Sequence, residues 1–198
     1  MFLKAENLQW RASVALTVVT VLFGVVATAV TSYNYRRGDI LRRSTVKVVW
    51  LTYLLAGTAV TAASWVHVWE LDILAVIGWV LGGSMIAGGV ALLWTAVVQF
   101  AGVEQLSGLE VGELVTHGVY QWSRNPQNLG LLVTFAGVSL AGRSLLALAL
   151  TVILAVLLSV YLPREEAHLE RVFGDRYRQY REQTSRWFGL KRNNPVST

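Results

Sequence analysis

Charged residues punctuate this chain instead of pervading it. None lies between Arg11 and Arg36, Lys47 and Glu70, Asp72 and Glu104, Arg124 and Arg143, or Arg143 and Arg164, gaps of 24, 22, 31, 18 and 20 residues. About 20 apolar residues carry a helix across a bilayer core, so the pattern predicts five crossings. The first three helices are expected near 12–33, 48–67 and 73–100, the fourth as a short run over 129–141, and the fifth up to Pro163. The fold class expected is all-α. It is a polytopic membrane protein with about five transmembrane helices, the last two a tight hairpin, followed by an amphipathic cytoplasmic C-terminal helix.

Composition agrees, since 54% of the 198 residues are hydrophobic and 15% charged, too apolar for an ordinary soluble domain. The chain has no cysteine, which removes disulfides and thiol chemistry. His67, His117 and His168 are far apart and lack metal-ligand spacing, so no metal is expected. The net charge of +5 does not point to nucleic acid, because it is concentrated in two places. Arg36, Arg37, Arg42, Arg43 and Lys47 share one loop, and eight basic residues mixed with five acids follow Pro163. Basic residues favour the cytoplasmic side, and "HVWELD" carries no Lys or Arg. The expected orientation is N-terminus outside, with the C-terminus and any active site cytoplasmic. Ala27 and Ala29 imitate a signal-peptidase site, but cleavage there would leave the basic loop outside.

The chain reads as one membrane domain. Residues 1–100 form scaffold helices without a polar constellation, and 101–198 hold a polar loop, the hairpin and the C-terminal helix. Gly82, Gly83, Gly88 and Gly89 are read as surfaces where helices approach closely in lipid. The stretch "GVYQWSRNPQNLG", Gly118 to Gly130, opens the fourth apolar run, which spans only about 20 Å against a core of about 30 Å. Polar backbone at that depth is tolerated where protein buries it or it lines a wet cavity. Asn125 as N-cap and Pro126 as first helical residue start a helix well. Arg124 beside that N-terminus adds an anion site.

After Pro163, Leu169, Phe173 and Tyr177 recur every four residues beside Val172 and Tyr180, the stripe of an interfacial helix, with Trp187 and Phe188 as anchors. Glu165 and Glu166 are expected to begin that helix, where acids suit the dipole. Adjacent helical residues point about 100° apart, so at most one of the two is expected to face a site. The hairpin then sets a cation against a carboxylate across a glycine-containing pocket with tyrosines nearby, which suits an amino acid zwitterion.

The motifs "LVTHGVYQWSRNPQNLG", "SLAGRS" and "EEAHLERVFGDRYRQYREQTSRW" resemble the C-terminal half of the isoprenylcysteine carboxyl methyltransferase family, including its small prokaryotic members. Gly118, Tyr120, Arg124, Pro126 and Gly130, then Glu165, Glu166, Leu169, Phe173, Gly174, Tyr177 and Arg186, follow the family order over about residues 114–188. Asn125 replaces the family's histidine and Asn128 its tyrosine, and amides hydrogen-bond without titrating usefully.

The resemblance implies methyl transfer from S-adenosylmethionine at the cytoplasmic membrane face to a lipophilic acceptor, so the partners implied are that acceptor and the bilayer. By the same resemblance Arg124 and Asn125 are the candidate catalytic residues. Gly118, Tyr120, Arg124, Asn125, Pro126, Asn128, Gly130, Glu165, Glu166 and Tyr177 are the candidate cofactor-binding residues. Aromatic faces such as Tyr120 suit the sulfonium. A carboxylate or thiolate acceptor needs no general base, and a phospholipid amine, quinone-like lipid or small thiol fits equally. An NADPH-dependent reductase of the steroid-reductase type shares a similar C-terminal signature, but no dinucleotide glycine fingerprint is present.

Overall fold

The computed structural model describes residues 2–37, 41–66, 68–100, 109 and 112–189. His67, Glu104, Glu110, most of the 101–111 stretch and the residues after Gly189 lie outside them. Among the described residues, six α-helices and one 3-10 turn follow in order: α1 Phe2–Arg37, α2 Arg43–Trp65, α3 Ala75–Val97, the turn Gly118–Gln121, α4 Pro126–Ala141, α5 Leu145–Phe173 and α6 Asp175–Gln183. The all-α expectation holds.

Among the described residues, four stretches are long and apolar enough to cross a membrane: Leu8–Arg37, Arg43–Trp65, Ala75–Val97 and Leu145–Phe173. The expected fourth of five crossings, α4, has 16 residues, about 24 Å at 1.5 Å per residue. It does not reach that length.

Small residues set the packing. Ala56, Ala59, Val60 and Ala63 of α2 are wholly buried with Phe135 of α4 and Leu146, Ala147, Leu150 and Leu154 of α5. α3 lies mainly along α4, glycine against glycine. A Cβ on Gly82 would stand 2.6 Å from the Gly137 carbonyl, and one on Gly130 2.7 Å from that of Gly89. Only glycine permits such backbone approach. Gly83 and Gly88 have nothing within reach, so two of the four expected packing glycines do that work. The outer face of α3 stays uncovered, with Trp79 and Trp94 more than two-thirds exposed, as a lipid-facing surface should be.

At one end of the bundle the α2–α3 and α4–α5 turns are stitched together. Arg143 pairs with Glu70 at 2.5 Å, and Leu71 N–H donates to the Arg143 carbonyl at 2.7 Å. Ser144 caps α5 by accepting from Ala147 N–H and donates to the Val68 carbonyl, satisfying groups that would otherwise be orphaned at a helix start. At the other end α1 joins α5. Arg164 donates to Ser32 Oγ and Arg171 to the Tyr35 carbonyl.

Pro163 does not end the fifth apolar helix, contrary to expectation. α5 runs through it to Phe173, because neighbouring helices compensate the lost backbone bond in a packed apolar bundle. Glu165 and Glu166 therefore lie inside a long helix and not at the start of a new one. The break falls at Gly174, whose φ of 58° is left-handed, where glycine carries no Cβ penalty.

Candidate active site

The site gathers where the start of α4, the end of α5, α6 and the C-terminal segment converge. The 3-10 turn delivers Tyr120, and the chain then runs past Arg124 into Pro126, the first residue of α4. The segment after α6 docks against this stretch. Arg124 N–H donates to the Ser185 carbonyl at 2.9 Å, and Gly189 N–H to that of Trp122 at 3.1 Å. Ser123 Oγ and Asn125 Nδ2 both donate to the Arg186 carbonyl, each at 3.3 Å. Tyr180 donates to the Tyr120 carbonyl at 2.8 Å. Asn125 takes the N-cap position of α4 ahead of Pro126, as expected, but its side chain makes no capping bond. Its amide fastens the C-terminal segment instead, which corrects the capping role and not the position.

That docking brings Arg186 to Glu166. The carboxylate accepts from Arg186 Nε at 2.9 Å and Nη2 at 2.7 Å, and Arg124 Nη2 stands 3.0 Å away. The Arg124 and Glu166 side chains are 9% and 8% exposed. Two cations share one carboxylate, so the cluster carries a surplus positive charge. Arg124 Nε is also buried without a hydrogen-bond partner among the described residues. A buried donor left unpaired is costly. The hydrogen bond with Glu166 is the main reason that the Arg186 guanidinium is held above its usual pKa.

This cluster opens on a cavity of about 330 Å³, within the range of small-molecule sites. Tyr120, Arg124, Asn125, Asn128, Glu165, Glu166 and Tyr177 of the expected set line it, so both glutamates border the cavity where at most one was expected to. Gly118, Pro126 and Gly130 do not. Gly118 has a φ of 59° where the 3-10 turn begins, Pro126 starts the helix, and Gly130 packs on α3. Burial raises the phenol pKa of Tyr177, Tyr180 and Tyr120, with the Glu166 charge adding for Tyr177. All three remain neutral hydroxyls, and Tyr120 donates to Gln127 Oε1 at 2.5 Å.

Most of the expected interfacial stripe turns inward, since Leu169, Phe173, Tyr177 and Tyr180 line the cavity, while Val172 at its border stays exposed. The first two helices are more than scaffold. Tyr35 of α1 and Tyr53 of α2 reach the same cavity with Tyr161 of α5. Single tyrosines inside apolar runs carry no spacing signal, and only Tyr161, one turn before Glu165, could have been suspected.

A family model described as phospholipid methyltransferase matches residues 51–176, from α2 to the beginning of α6. The chain belongs to this family. It is a family of membrane methyltransferases in the same superfamily as the isoprenylcysteine enzymes that the C-terminal motifs resemble. An uncharacterised protein of Haemophilus influenzae is 37% identical over 57 residues, 29% of this chain and 90% of that protein. No solved structure matches.

Proposed function

We propose that this membrane methyltransferase binds S-adenosylmethionine in the cavity and serves a lipophilic acceptor at the cytoplasmic face. The observation that carries the reading is Arg124, buried, partly paired and holding an unpartnered Nε. Its guanidinium would take the carboxylate of the methionine part in a charge-assisted bond. A carboxylate offers about four acceptor positions, and the two arginines occupy three on Glu166. The fourth suits the amino group. The cofactor, when bound, supplies a methyl group on an electrophilic sulfonium.

The chain's own contribution is binding and alignment. Arg124 and Glu166 fix one end of the ligand, the neutral phenols of Tyr177 and Tyr180 close over it, and Asn125 and Asn128 offer amides. In-line displacement gains mainly from such positioning. Acceptors compatible with the family and the motifs are an isoprenylcysteine carboxylate, a phospholipid amine or a small thiol. Calorimetry on the purified protein tests the reading. Saturable binding of S-adenosylmethionine and of its demethylated product is expected, and binding of NADPH with neither of these would replace it with the reductase reading.

A further inference from the structure

Two apolar spans meet at the α1–α2 turn, where Leu8–Arg37 ends and Arg43–Trp65 begins. The sequence from Arg36 to Lys47 sets five cations against one acid, Asp39. Arg36, Arg37, Arg42, Arg43 and Lys47 are all exposed, and none enters an ion pair among the described residues. Arg36 and Arg37 lie in the last turn of α1, where the helix dipole favours a cation. Arg42 and Arg43 stand at the start of α2, which has no acid in its first turn and no side-chain cap. There the dipole opposes them. Topology asks only for basic residues near the end of a span, so it does not account for cations gathered on the positive end of a helix.

The turn is a packed element. Asn34 Nδ2 donates to Thr45 Oγ1 at 2.7 Å, with both residues buried. Tyr35, Leu41 and Val46 form a small apolar cluster. α5 braces the end of α1, since Arg164 donates to Ser32 Oγ at 2.8 Å and Arg171 to the Tyr35 carbonyl. The arginines of the turn are thus carried on a fixed platform. Its inner side, Tyr35, Leu41 and Val46, is a wall of the cavity.

We propose that the α1–α2 turn docks anionic phospholipid headgroups of the bilayer, and that a bound headgroup holds this wall of the cavity in place. Such a lipid is a resident partner and not the methyl acceptor, because it stays on the outer side of the turn. A phosphate diester accepts paired bonds from the planar guanidinium fork. Clusters of basic residues directly beside a span gather anionic lipid in the same way. Two aromatic side chains set the depth. Tyr33, with Arg37 stacked 4.6 Å from its ring centre, and Trp50, three residues after Lys47, are both about half exposed. Such residues sit at headgroup level, so the cations between them meet lipid before any soluble anion.

The test is a titration of the detergent-purified full chain, without cofactor, with dioleoyl phosphatidylglycerol or dioleoyl phosphatidylcholine. Phosphatidylglycerol is expected to raise the thermal midpoint, as a ligand of the folded state does, and to slow amide hydrogen exchange in residues 33–47. Phosphatidylcholine should do neither. Arg42→Gln combined with Arg43→Gln should bind phosphatidylglycerol about tenfold more weakly, and Arg42→Lys combined with Arg43→Lys within about threefold of the parent. Equal effects of the two lipids overturn the proposal, as does slowed exchange confined to other segments, or a glutamine pair that binds like the parent. A lysine pair as weak as the glutamine pair overturns it too, because charge is then not what the turn supplies. Inorganic phosphate alone giving the full effect would make the turn a free-anion site and overturn its assignment to the bilayer.

Discussion

Arg186 and Glu166 stand 20 positions apart in sequence and meet through two hydrogen bonds of 2.9 and 2.7 Å. The pair ties the C-terminal segment to α5 and, with Arg124 on the same carboxylate, leaves the cluster one positive charge in excess. Arg186→Met removes that excess and leaves Arg124 and Glu166 as a neutral pair. The expected outcome is a stable protein with S-adenosylmethionine affinity reduced about tenfold or more, the loss of roughly 1.4 kcal/mol of charge complementarity. Glu166→Gln does the reverse and strands a buried cation. Breaking such a pair costs about 3 kcal/mol or more, so its thermal midpoint in detergent should fall well below that of Arg186→Met. If Arg186→Met is the less stable of the two, the docking of the segment outweighs charge balance.

Arg124→Lys separates charge from geometry. Lysine keeps the cation but has neither the planar fork nor a counterpart to the unpartnered Nε. One lost charge-assisted contact typically costs about 1.5–3 kcal/mol, roughly ten- to a hundredfold in affinity. Calorimetry should show that loss for S-adenosylmethionine with a normal unfolding transition. Parental affinity would mean that the ligand's carboxylate does not lie at Nε.

Much of the helix layout was legible because charges stop where apolar helices must continue, and the glycines of α3 announced a close helix contact. Pro163 misled, because a proline's cost in an isolated helix says little where Leu162 and Glu166 on either side are buried by neighbours. The real break, Gly174, needs a left-handed φ that no apolar periodicity records. Arg124, Asn125, Glu166 and Tyr177 were readable from motif order. The pairing of Arg186 with Glu166 was not, since 20 positions is no helical spacing. Tyr35 and Tyr53 were invisible, because a tyrosine near a helix end, like Tyr35, reads as an interface anchor and one in mid-helix, like Tyr53, as part of an apolar run, until the tertiary fold aims them inward.

Asn125→Asp tests what the asparagine does. Aspartate caps helices as well as asparagine, but Asn125 makes no side-chain cap and its Nδ2 donates to the Arg186 carbonyl. Aspartate has no donor to offer and would face that carbonyl oxygen with a charge. The segment from Thr184 to Gly189 should loosen, so limited proteolysis is expected to cut it several-fold faster than in the parent. Unchanged cleavage together with unchanged ligand affinity would reduce Asn125 to helix punctuation.

Gly137→Val and Gly83→Val differ in one respect that the structure makes explicit. A Cβ on Gly137 would stand 2.7 Å from the Gly82 carbonyl and 2.8 Å from Ile86 N, whereas one on Gly83 meets nothing within 4 Å. Overpacking of this kind costs about 1–3 kcal/mol, and an open surface site about 0.5 kcal/mol or less. Thermal unfolding should therefore show a clear loss for Gly137→Val and almost none for Gly83→Val. Equal losses would place Gly83 against a partner helix.

The orientation can be decided by two cysteines, because the structure puts the site and the Glu70–Arg143 turn at opposite ends. Arg171 donates to the Tyr35 carbonyl, so the basic C-terminus of α1 lies at the end where Glu166 and the cavity are found. Glu70 and Arg143 join the two turns at the far end. The chain has no cysteine of its own, and Ser44 and Asp72 are both exposed. If basic residues lie inside, an impermeant maleimide added to intact cells should label Asp72→Cys at once. Ser44→Cys should react only after the membrane is opened. The reverse pattern would place the cavity outside, away from the cytosol that supplies S-adenosylmethionine, and would break the link between charge distribution and chemistry on which the proposed function depends.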